Sequence, residues 1–234
     1  MMVCFYNGRG EVTVDNLVLV LMKGNLKKIT GDYIRLLKKA YPDAKTALHF
    51  KTPLEMLVAT ILSAQCTDER VNKVTAVLFK KYRKCRDYLK VPEEELQQDI
   101  RPTGFYRNKA KNIRGACKIL MDKFDEKMPR TMEEMLTLPG VARKTANVVL
   151  GNVYGIMEGV VVDTHVSRLA KRMGLSKEKT PEKIEKDLMT IVPKKDWLVF
   201  SNLLVSHGRK VCKARGPKCI ECALNKICPS AFKV

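Results

Sequence analysis

Four cysteines in the last 23 residues of the sequence have the spacing of a metal centre. Cys212, Cys219, Cys222 and Cys228 follow the pattern C-x6-C-x2-C-x5-C, so four thiolates fall within one short loop. Four cysteines suit a tetrahedral zinc site, but zinc ribbons normally use two C-x2-C pairs separated by a long spacer, and only one such pair is present here. The uneven spacing is equally compatible with an iron-sulfur cluster, and a disulfide pair is the third alternative. The spacing alone leaves zinc and iron-sulfur open.

The segment LPGVARKTANVVLG is a second place where chemistry is expected, because it predicts a Pro-Gly turn between two helices. Gly140 would let the main chain approach a ligand closely, and the first amides of the following helix are unpaired donors at its positive dipole end. Such a corner binds a phosphate, and Arg143 and Lys144 add cations beside it. The alternative is an ordinary helix-helix turn, in which Lys144 only contacts phosphate or solvent.

The helices on either side of this turn have recognisable start signals. Thr131 followed by Glu134 predicts a capping box that opens a short helix before the turn. Residues 142–150 carry a one-sided apolar pattern, so a second helix follows the turn at once. Asp163 or Thr164 could cap the next helix, and capping is the commoner role of an aspartate in that place. The sequence therefore predicts a helix-hairpin-helix followed by a further helix.

Helical patterns also cover most of the remaining chain. The pair Thr52-Pro53 combines an N-cap with proline at the first helical position, and Gln65 lies on the polar turn after that helix. Residues 197–207 form the last helical pattern, whereas residues 1–28 show no sustained helical period. No convincing strand hairpin occurs, so the sequence predicts an all-α fold.

The composition predicts a folded protein with a polyanionic partner. The chain has 234 residues, 45% of them hydrophobic, and 44 Lys plus Arg against 25 Asp plus Glu give a net charge of +19. This balance favours nucleic acid, although a membrane-surface protein or a generally basic proteome would also show it. The apolar run at residues 17–22 is far shorter than the roughly 18 residues of a membrane span, and no signal-peptide pattern is present. We expect no membrane partner and a cytoplasmic location, nucleoid-associated if the source is prokaryotic.

The other cysteines do not extend the metal pattern. Cys4, Cys66, Cys85 and Cys117 are scattered among apolar positions, which is typical of free, buried or partly buried thiols in a reducing compartment. The sequence therefore predicts that these four thiols bind no metal.

Several of these segments together resemble the endonuclease III family of helix-hairpin-helix DNA glycosylases. The matching pieces span residues 43–228 and are, in order, LSAQCTDERVNK, TGFYRNKAKNI, LPGVARKTANVVLG, VDTHVSRL, HGRKVCKAR and the cysteine pattern. The resemblance implies a six-helix barrel-like domain with the helix-hairpin-helix at residues 46–157. It further implies a helical domain, made of residues 29–45 and 158–234, that ends in a [4Fe-4S] cluster loop held by the four cysteines. Residues 1–28 are then an N-terminal extension of unknown structure.

The resemblance also assigns roles to individual residues. Lys144 matches the family's catalytic lysine, Asp163 its catalytic aspartate, and Gln65 the residue that fills the gap left by an extruded base. His165 and His207 are read as structural. The remaining DNA contacts are expected from the hairpin and nearby cations, namely Leu138, Pro139, Gly140, Val141, Arg143, Lys213, Arg215 and Lys218.

Two departures from the family pattern concern the hairpin and the segment after it. Ala142 stands where the hairpin commonly has a second glycine, which matters little if that residue is already helical. The segment between Lys144 and Asp163 is one residue longer than expected, so the turn near residues 157–159 is expected to differ.

The resemblance implies a bifunctional DNA glycosylase and AP lyase of base excision repair. Such an enzyme would act as a monomer on double-stranded DNA containing damaged bases or abasic sites, remove oxidised pyrimidines and cleave 3′ to the abasic site by β-elimination. Lys144 would attack the sugar, and its amine must be neutral to do so, which either partial burial or the nearby Arg143 and helix N-terminus would favour. The alternatives are a mismatch or uracil DNA glycosylase of the same superfamily and a non-catalytic DNA-binding module with iron-sulfur or zinc.

Overall fold

A computed structural model describes the main chain from Val14 to Val234 and the side chains from residue 24 onward. This described part consists of helices and turns without a β-strand, which confirms the all-α prediction. In the same part of the chain, no helix combines the length and apolar character that crossing a membrane requires. The α-helices are α1 (Val14–Ala40), α2 (Pro53–Leu62), α3 (Asp68–Lys81), α4 (Cys85–Lys90), α5 (Glu93–Ile100), α6 (Tyr106–Phe124), α7 (Met132–Leu136), α8 (Arg143–Tyr154), α9 (Thr164–Arg172), α10 (Pro181–Ile191) and α11 (Trp197–Lys210).

The first helix starts earlier than its sequence pattern indicates. Residues 14–28 belong to α1, although they show no sustained helical period. A helix can form its main-chain hydrogen bonds wherever the sequence contains no helix-breaking residue. A helical period in hydrophobicity appears only where one face of the helix is apolar and the other is polar. Residues 1–13 lie outside the described residues, and with them the prediction that Cys4 is a free thiol.

Side-chain caps begin the helices that the sequence signals marked. The hydroxyl of Thr52 accepts a hydrogen bond from Glu55 N at 3.2 Å at the start of α2. The hydroxyl of Thr131 accepts from Glu134 N at 3.2 Å at the start of α7. These contacts span three residues, so they depend only on local sequence, and both predicted helix starts are confirmed.

One of the two compact units of the chain comprises Lys45–Val161 and contains α2 to α8. Its core includes one face of α6, where Ala110, Ile113 and Leu120 are at most 1% exposed. The α6 helix packs against α2, α4 and α5. Each buried leucine or isoleucine contributes about 1.5–3 kcal/mol, so α6 is a principal source of stability in this unit.

The other unit comprises Met1–Ala44 and Val162–Val234. Within it α9 packs against α11, and α1 packs against α10 and α11. The buried hydroxyl of Tyr33 donates to Met173 O at 3.2 Å and to Ile227 O at 3.0 Å. Tyr33 thus ties α1 to the end of α9 and to the segment that carries the last cysteines.

The described cysteines outside the metal pattern are located as predicted. Cys85 and Cys117 are each 1% exposed in the core, and Cys66 is partly buried. None of the three is in a disulfide, so they are free thiols in the described chain.

Candidate functional site

The hairpin, defined here as residues 138–141, exposes mainly its main chain. Leu138 and Val141 are buried at 2% and 6% exposure, and Val141 N donates to Leu138 O at 3.1 Å across the turn. Gly140 is exposed and has φ +76°, a left-handed conformation that favours glycine. The side chains of Leu138 and Val141 therefore anchor the hairpin in the core, and any ligand would meet its backbone.

Gly140 is also required by close packing against α6. A Cβ atom at Gly140 would lie 2.8 Å from the Cβ and Nδ2 atoms of Asn112. One turn further along α6, a Cβ at Gly115 would lie 3.0 Å from Pro139 Cγ. The hairpin thus lies directly on α6, and left-handed geometry and lack of space both exclude larger residues at position 140.

The N-cap residue of α8 is an alanine, whose side chain cannot cap the helix. Ala142 makes no side-chain capping bond, unlike the cap residues of α2 and α7. The start of α8 lies at the positive end of the helix dipole, which favours a bound anion. Ala142 has φ −89°, so a second glycine is not needed there. Arg143 and Lys144 follow directly and are both exposed.

The segment after α8 folds back onto that helix. Arg143 Nη2 donates to Glu158 O at 2.8 Å, and Glu158 N donates to the Oδ1 atom of the buried Asn147 at 3.1 Å. These two bonds hold the turn near residues 157–159 against the first turns of α8. Arg143 is therefore bound to a main-chain carbonyl as well as lying beside the hairpin.

The turn that carries Gln65 and the hairpin line the same cavity, which has a volume of about 230 Å³. Its lining includes Gln65, Phe105 and Gly140, together with Thr145 from the first turn of α8. Gln65 is exposed with φ +51°, and Phe105 is 61% exposed with φ +49°. Non-glycine residues rarely adopt such angles, and they occur most often at functional sites.

Sequence reasoning missed Phe105. The segment TGFY contains a glycine before an aromatic residue, which marks a turn but does not show that the ring is exposed. Its position beside Gln65 arises from contacts between residues far apart in the chain.

Lys109 on α6 connects the two turns that carry Gln65 and Phe105. It is 4% exposed, and its Nζ atom donates to Leu62 O and Thr103 O, both at 2.8 Å. Burial lowers the pKa of Lys109. Lysine is rarely this buried, and here two carbonyl acceptors compensate for the lost solvent.

Asp163 and Lys144 belong to different compact units. Asp163 is partly buried and is the N-cap of α9, where its Oδ1 atom accepts from Val166 N at 2.8 Å. The expected capping role of Asp163 is confirmed. Lys144 is exposed in the described chain, so Arg143 and the helix N-terminus lie beside it without partial burial.

The cysteine loop, defined here as residues 212–228, surrounds one apolar cavity. Cys212, Cys219, Cys222 and Cys228 all line it, together with apolar side chains that include Leu224. Within the described part of the chain, no three His, Cys, Asp or Glu side chains converge closely enough to hold one metal ion. The four thiols thus line a common cavity.

Two arginines on α9 hold the start of the cysteine loop. Arg168 Nη2 donates to Cys212 O at 3.0 Å, and Arg172 Nη1 donates to Lys213 O at 2.7 Å. Arg172 also lies 3.4 Å from the sulfur of Cys212 and donates to Ala214 O at 3.1 Å. Sequence reasoning missed both arginines, although their spacing of four residues on one helix face is a usable signal.

His207 lies beside the cysteine loop in a structural role. It is 2% exposed, its Nδ1 atom is 2.9 Å from the hydroxyl of Tyr41, and its Nε2 atom is 3.5 Å from the sulfur of Cys222. Burial lowers the pKa of His207 to about 4, so the ring is neutral near pH 7. His165 packs against Gly208 and lies 3.2 Å from Arg168, which is also a structural contact.

The three cations of the cysteine loop that were expected to contact DNA, Lys213, Arg215 and Lys218, are exposed. Lys213 and Arg215 project from the loop between its first two cysteines. Lys218 donates to both carboxylate oxygens of Glu221 at 3.2 Å, which partly neutralises its charge. Arg215 and Lys218 therefore differ in the charge that they offer to a ligand.

Comparisons with known proteins agree with these features. Residues 58–194 match the family described as HhH-GPD superfamily base excision DNA repair protein. The chain is 54% identical over 205 residues to endonuclease III of Synechocystis sp., covering 88% of this chain and 94% of the relative. It is 45% identical to the protein in a solved non-covalent endonuclease III–DNA complex, with a TM-score of 0.84 over 88% of this chain and 97% of that chain. A trapped covalent endonuclease III–DNA intermediate, an estranged-adenine complex, gives the same identity, TM-score and coverage.

These matches confirm the resemblance found in the sequence motifs, and with it the enzyme class of DNA glycosylase and AP lyase. The family match covers more than half of the chain, and the relative is similar along nearly its whole length. This chain therefore belongs to the endonuclease III family of the HhH-GPD superfamily of base excision DNA repair proteins.

Proposed function

We propose that this protein releases oxidised pyrimidines from double-stranded DNA and then cleaves the strand 3′ to the abasic site by β-elimination. The observation that carries the proposal is the cavity in which the exposed residues Gln65 and Phe105 lie beside Gly140 and the first turn of α8. This arrangement supports binding of one phosphate at the hairpin, with Gln65 and Phe105 inserted into the base stack next to it.

Gln65 and Phe105 suit the extrusion of a nucleotide. A base inside duplex DNA is inaccessible and must be flipped out, which costs a few kcal/mol. An exposed aromatic ring that stacks on the neighbouring bases recovers about 1–3 kcal/mol, and an amide side chain can bond to a base edge. Together the two residues would fill the gap and offset the cost.

The hairpin and the start of α8 would fix the position of the strand. The main chain at Gly140 and the positive end of the α8 dipole would bind one phosphate, without reading sequence. The net charge of +19 would add attraction to the polyanion and make binding dependent on salt. This anchoring brings the sugar of the extruded nucleotide toward Lys144.

Lys144 would then act as the nucleophile. Its neutral amine attacks C1′ and the base leaves with the electrons of the C1′–N bond. The C1′–O4′ bond then breaks, with a proton passing from the amine to O4′, to give the Schiff base. Loss of a C2′ proton forms the C2′–C3′ double bond and expels the 3′ phosphate. Because Lys144 is exposed, the bound nucleotide itself must supply the desolvation that favours the neutral amine. The covalent intermediate trapped in a relative supports a mechanism of this kind.

Asp163 would stabilise the positive charge that develops on the sugar as the base departs. Oδ1 of this carboxylate caps α9, and a carboxylate has two oxygens and several acceptor positions. A single group can therefore hold the start of α9 and act electrostatically on the sugar.

The four cysteines line one apolar cavity and supply the four thiolate ligands that a [4Fe-4S] cluster takes. Burial raises the pKa of the Cys222 and Cys228 thiols, and a bound metal centre would stabilise their thiolate forms. When bound, the cluster would cross-link the cysteine loop. Absorption near ~400 nm together with iron and sulfide analysis tests this assignment.

Borohydride trapping on an abasic duplex tests the proposed chemistry. The wild-type protein should form a covalent adduct with the DNA, and Lys144→Ala should form none. Lys144→Arg is the matched control, because it keeps the charge and DNA binding but cannot form a Schiff base. If the wild-type protein gives no adduct, the proposed lyase mechanism is wrong.

A panel of lesion-containing duplexes tests the substrate. We expect release of oxidised pyrimidines by a monomer acting on chromosomal DNA in the cytoplasm. Preferred release of uracil or of a mismatched base would identify a different glycosylase of the same superfamily. DNA binding without release of any base would indicate a non-catalytic module.

A further inference from the structure

The buried amine of Lys109 joins two segments that are distant in sequence. Its two acceptors, Leu62 O and Thr103 O, are 47 and 6 residues away in the chain. Leu62 is the last residue of α2, and Thr103 is the last residue of a short 3-10 turn, Arg101–Thr103. Carbonyls at such ends lack intrahelical partners, so a buried donor is needed to satisfy them.

Both segments lead directly into a strained, exposed residue. Gln65 follows Leu62 by three residues, and Phe105 follows Thr103 by two. Gln65 has φ +51° and Phe105 has φ +49°. Such angles persist in non-glycine residues only where the surrounding structure imposes them, and the contacts of Lys109 fix the start of each turn.

Lys109 is suited to this role and unsuited to contacting DNA phosphates directly. It is 4% exposed, so its charge is withdrawn from the surface. An ammonium group has three donors, of which two are used on the carbonyls. The same residue lines the cavity that Gln65 and Phe105 share, so both turns are fixed relative to one point on α6.

We propose that Lys109 is a positioning residue that sets the separation of Gln65 and Phe105 so that both enter the gap left by an extruded nucleotide. The inference rests on the proposed function, because it assigns a gap-filling role to that pair. Lys109 acts through Gln65 and Phe105 and does not touch the reacting atoms. Its loss should therefore impair steps that need extrusion from a duplex and spare steps that do not.

Lys109→Met tests the proposal, with Lys118→Met as the control. Both changes remove one positive charge from α6, but Lys118 is exposed. For Lys109→Met, single-turnover release of thymine glycol from a duplex should fall by about tenfold or more, because two buried carbonyls lose their donor. Borohydride adduct formation with a single-stranded abasic oligonucleotide, which needs no extrusion, should stay within about twofold of wild type. Lys118→Met should match wild type on both substrates.

A double-mutant cycle separates positioning from a general loss of stability. In a Gln65→Ala, Phe105→Ala background there is no pair left to position, so adding Lys109→Met should change duplex activity by less than about twofold. A purely structural role would instead give the same loss in both backgrounds. Lys109→Gln keeps one amide donor, should be intermediate, and replaces Lys109→Met in the cycle if the latter does not fold.

Three results would overturn the inference. These are unchanged duplex activity in Lys109→Met, equal losses on duplex and single-stranded substrates, and a full additional loss in the Gln65→Ala, Phe105→Ala background. A wild-type protein that forms no adduct with either substrate would contradict the proposed function itself, which is a separate result.

Discussion

The hairpin and the cysteine loop are held in place in different ways. Around the hairpin, left-handed main-chain angles at Gln65, Phe105 and Gly140 shape an exposed surface. In the cysteine loop, the guanidinium groups of Arg168 and Arg172 bind main-chain carbonyls and one sulfur. One surface therefore depends on backbone conformation and close packing, and the other on side-chain donors reaching in from α9.

This difference indicates where each region is sensitive to substitution. The exposed main chain at the hairpin is displaced when a side chain is added at Gly140. A larger residue there has no space beside Asn112 and would be strained at this positive φ angle. A loop held by arginines is lost when a donor is removed, because several carbonyls lose their partner at once. Exposed positions within the loop should tolerate change.

The largest effect is expected for Asp163→Asn. This change tests whether Asp163, at the start of α9, also stabilises charge on the sugar during base release. Asparagine caps a helix about as well as aspartate, so α9 should keep its stability within about 0.5 kcal/mol. Removal of the negative charge should slow base release by about 10²–10³-fold. Single-turnover kinetics and thermal unfolding measure the two effects, and an unchanged rate of base release would show that capping is the only role.

Gly140→Ala should destabilise the protein by about 2–4 kcal/mol, because left-handed strain is added to a clash with Asn112. DNA affinity should fall about tenfold or more as the hairpin shifts. Gly216→Ala in the cysteine loop is the matched control, since Gly216 has φ +61° and open space around its Cβ position. Gly216→Ala should lower the free energy of unfolding by about 1 kcal/mol. Chemical denaturation that gives equal losses would contradict the packing argument.

Arg172→Met should loosen the cysteine loop by about 1–3 kcal/mol, because two carbonyls and the sulfur of Cys212 lose their donor. If the loop holds the proposed cluster, loss of its absorption band near ~400 nm under a chelator should be several-fold faster than in wild type. Lys171→Met, an exposed neighbour on α9, should behave as wild type. An unchanged rate for Arg172→Met would show that the cysteines alone hold the loop.

The smallest effect is expected for Arg215→Ala compared with Lys218→Ala. If Arg215 contacts a phosphate, its removal should lower the slope of log affinity against log salt by about 0.9. Lys218 is already paired with Glu221, so its removal should change the slope by less. Titrations at several salt concentrations measure both slopes, and a larger change for Lys218→Ala would contradict the role assigned to its ion pair.

Local sequence was sufficient for the features that depend on neighbouring residues. The starts of α2, α7 and α9 follow from Thr52, Thr131 and Asp163, because each cap bonds to an amide three residues away. The helix-hairpin-helix was predicted from the Pro-Gly turn between two helical patterns, and the metal centre was proposed from the spacing of the four cysteines. The early start of α1 was missed because a helix can form without an apolar stripe.

Contacts between distant residues were decided only by the folded chain. The pairing of Lys109 with Leu62 spans 47 residues, and that of Arg172 with Lys213 spans 41. No periodicity or spacing encodes such pairs, because they depend on which helix faces pack together. The exposure of Phe105 and Lys144 is of the same kind, since burial is a property of the packed surroundings and not of the residue type. Sequence patterns thus predicted the parts of the site, whereas packing on α6 and α9 determined how those parts are held.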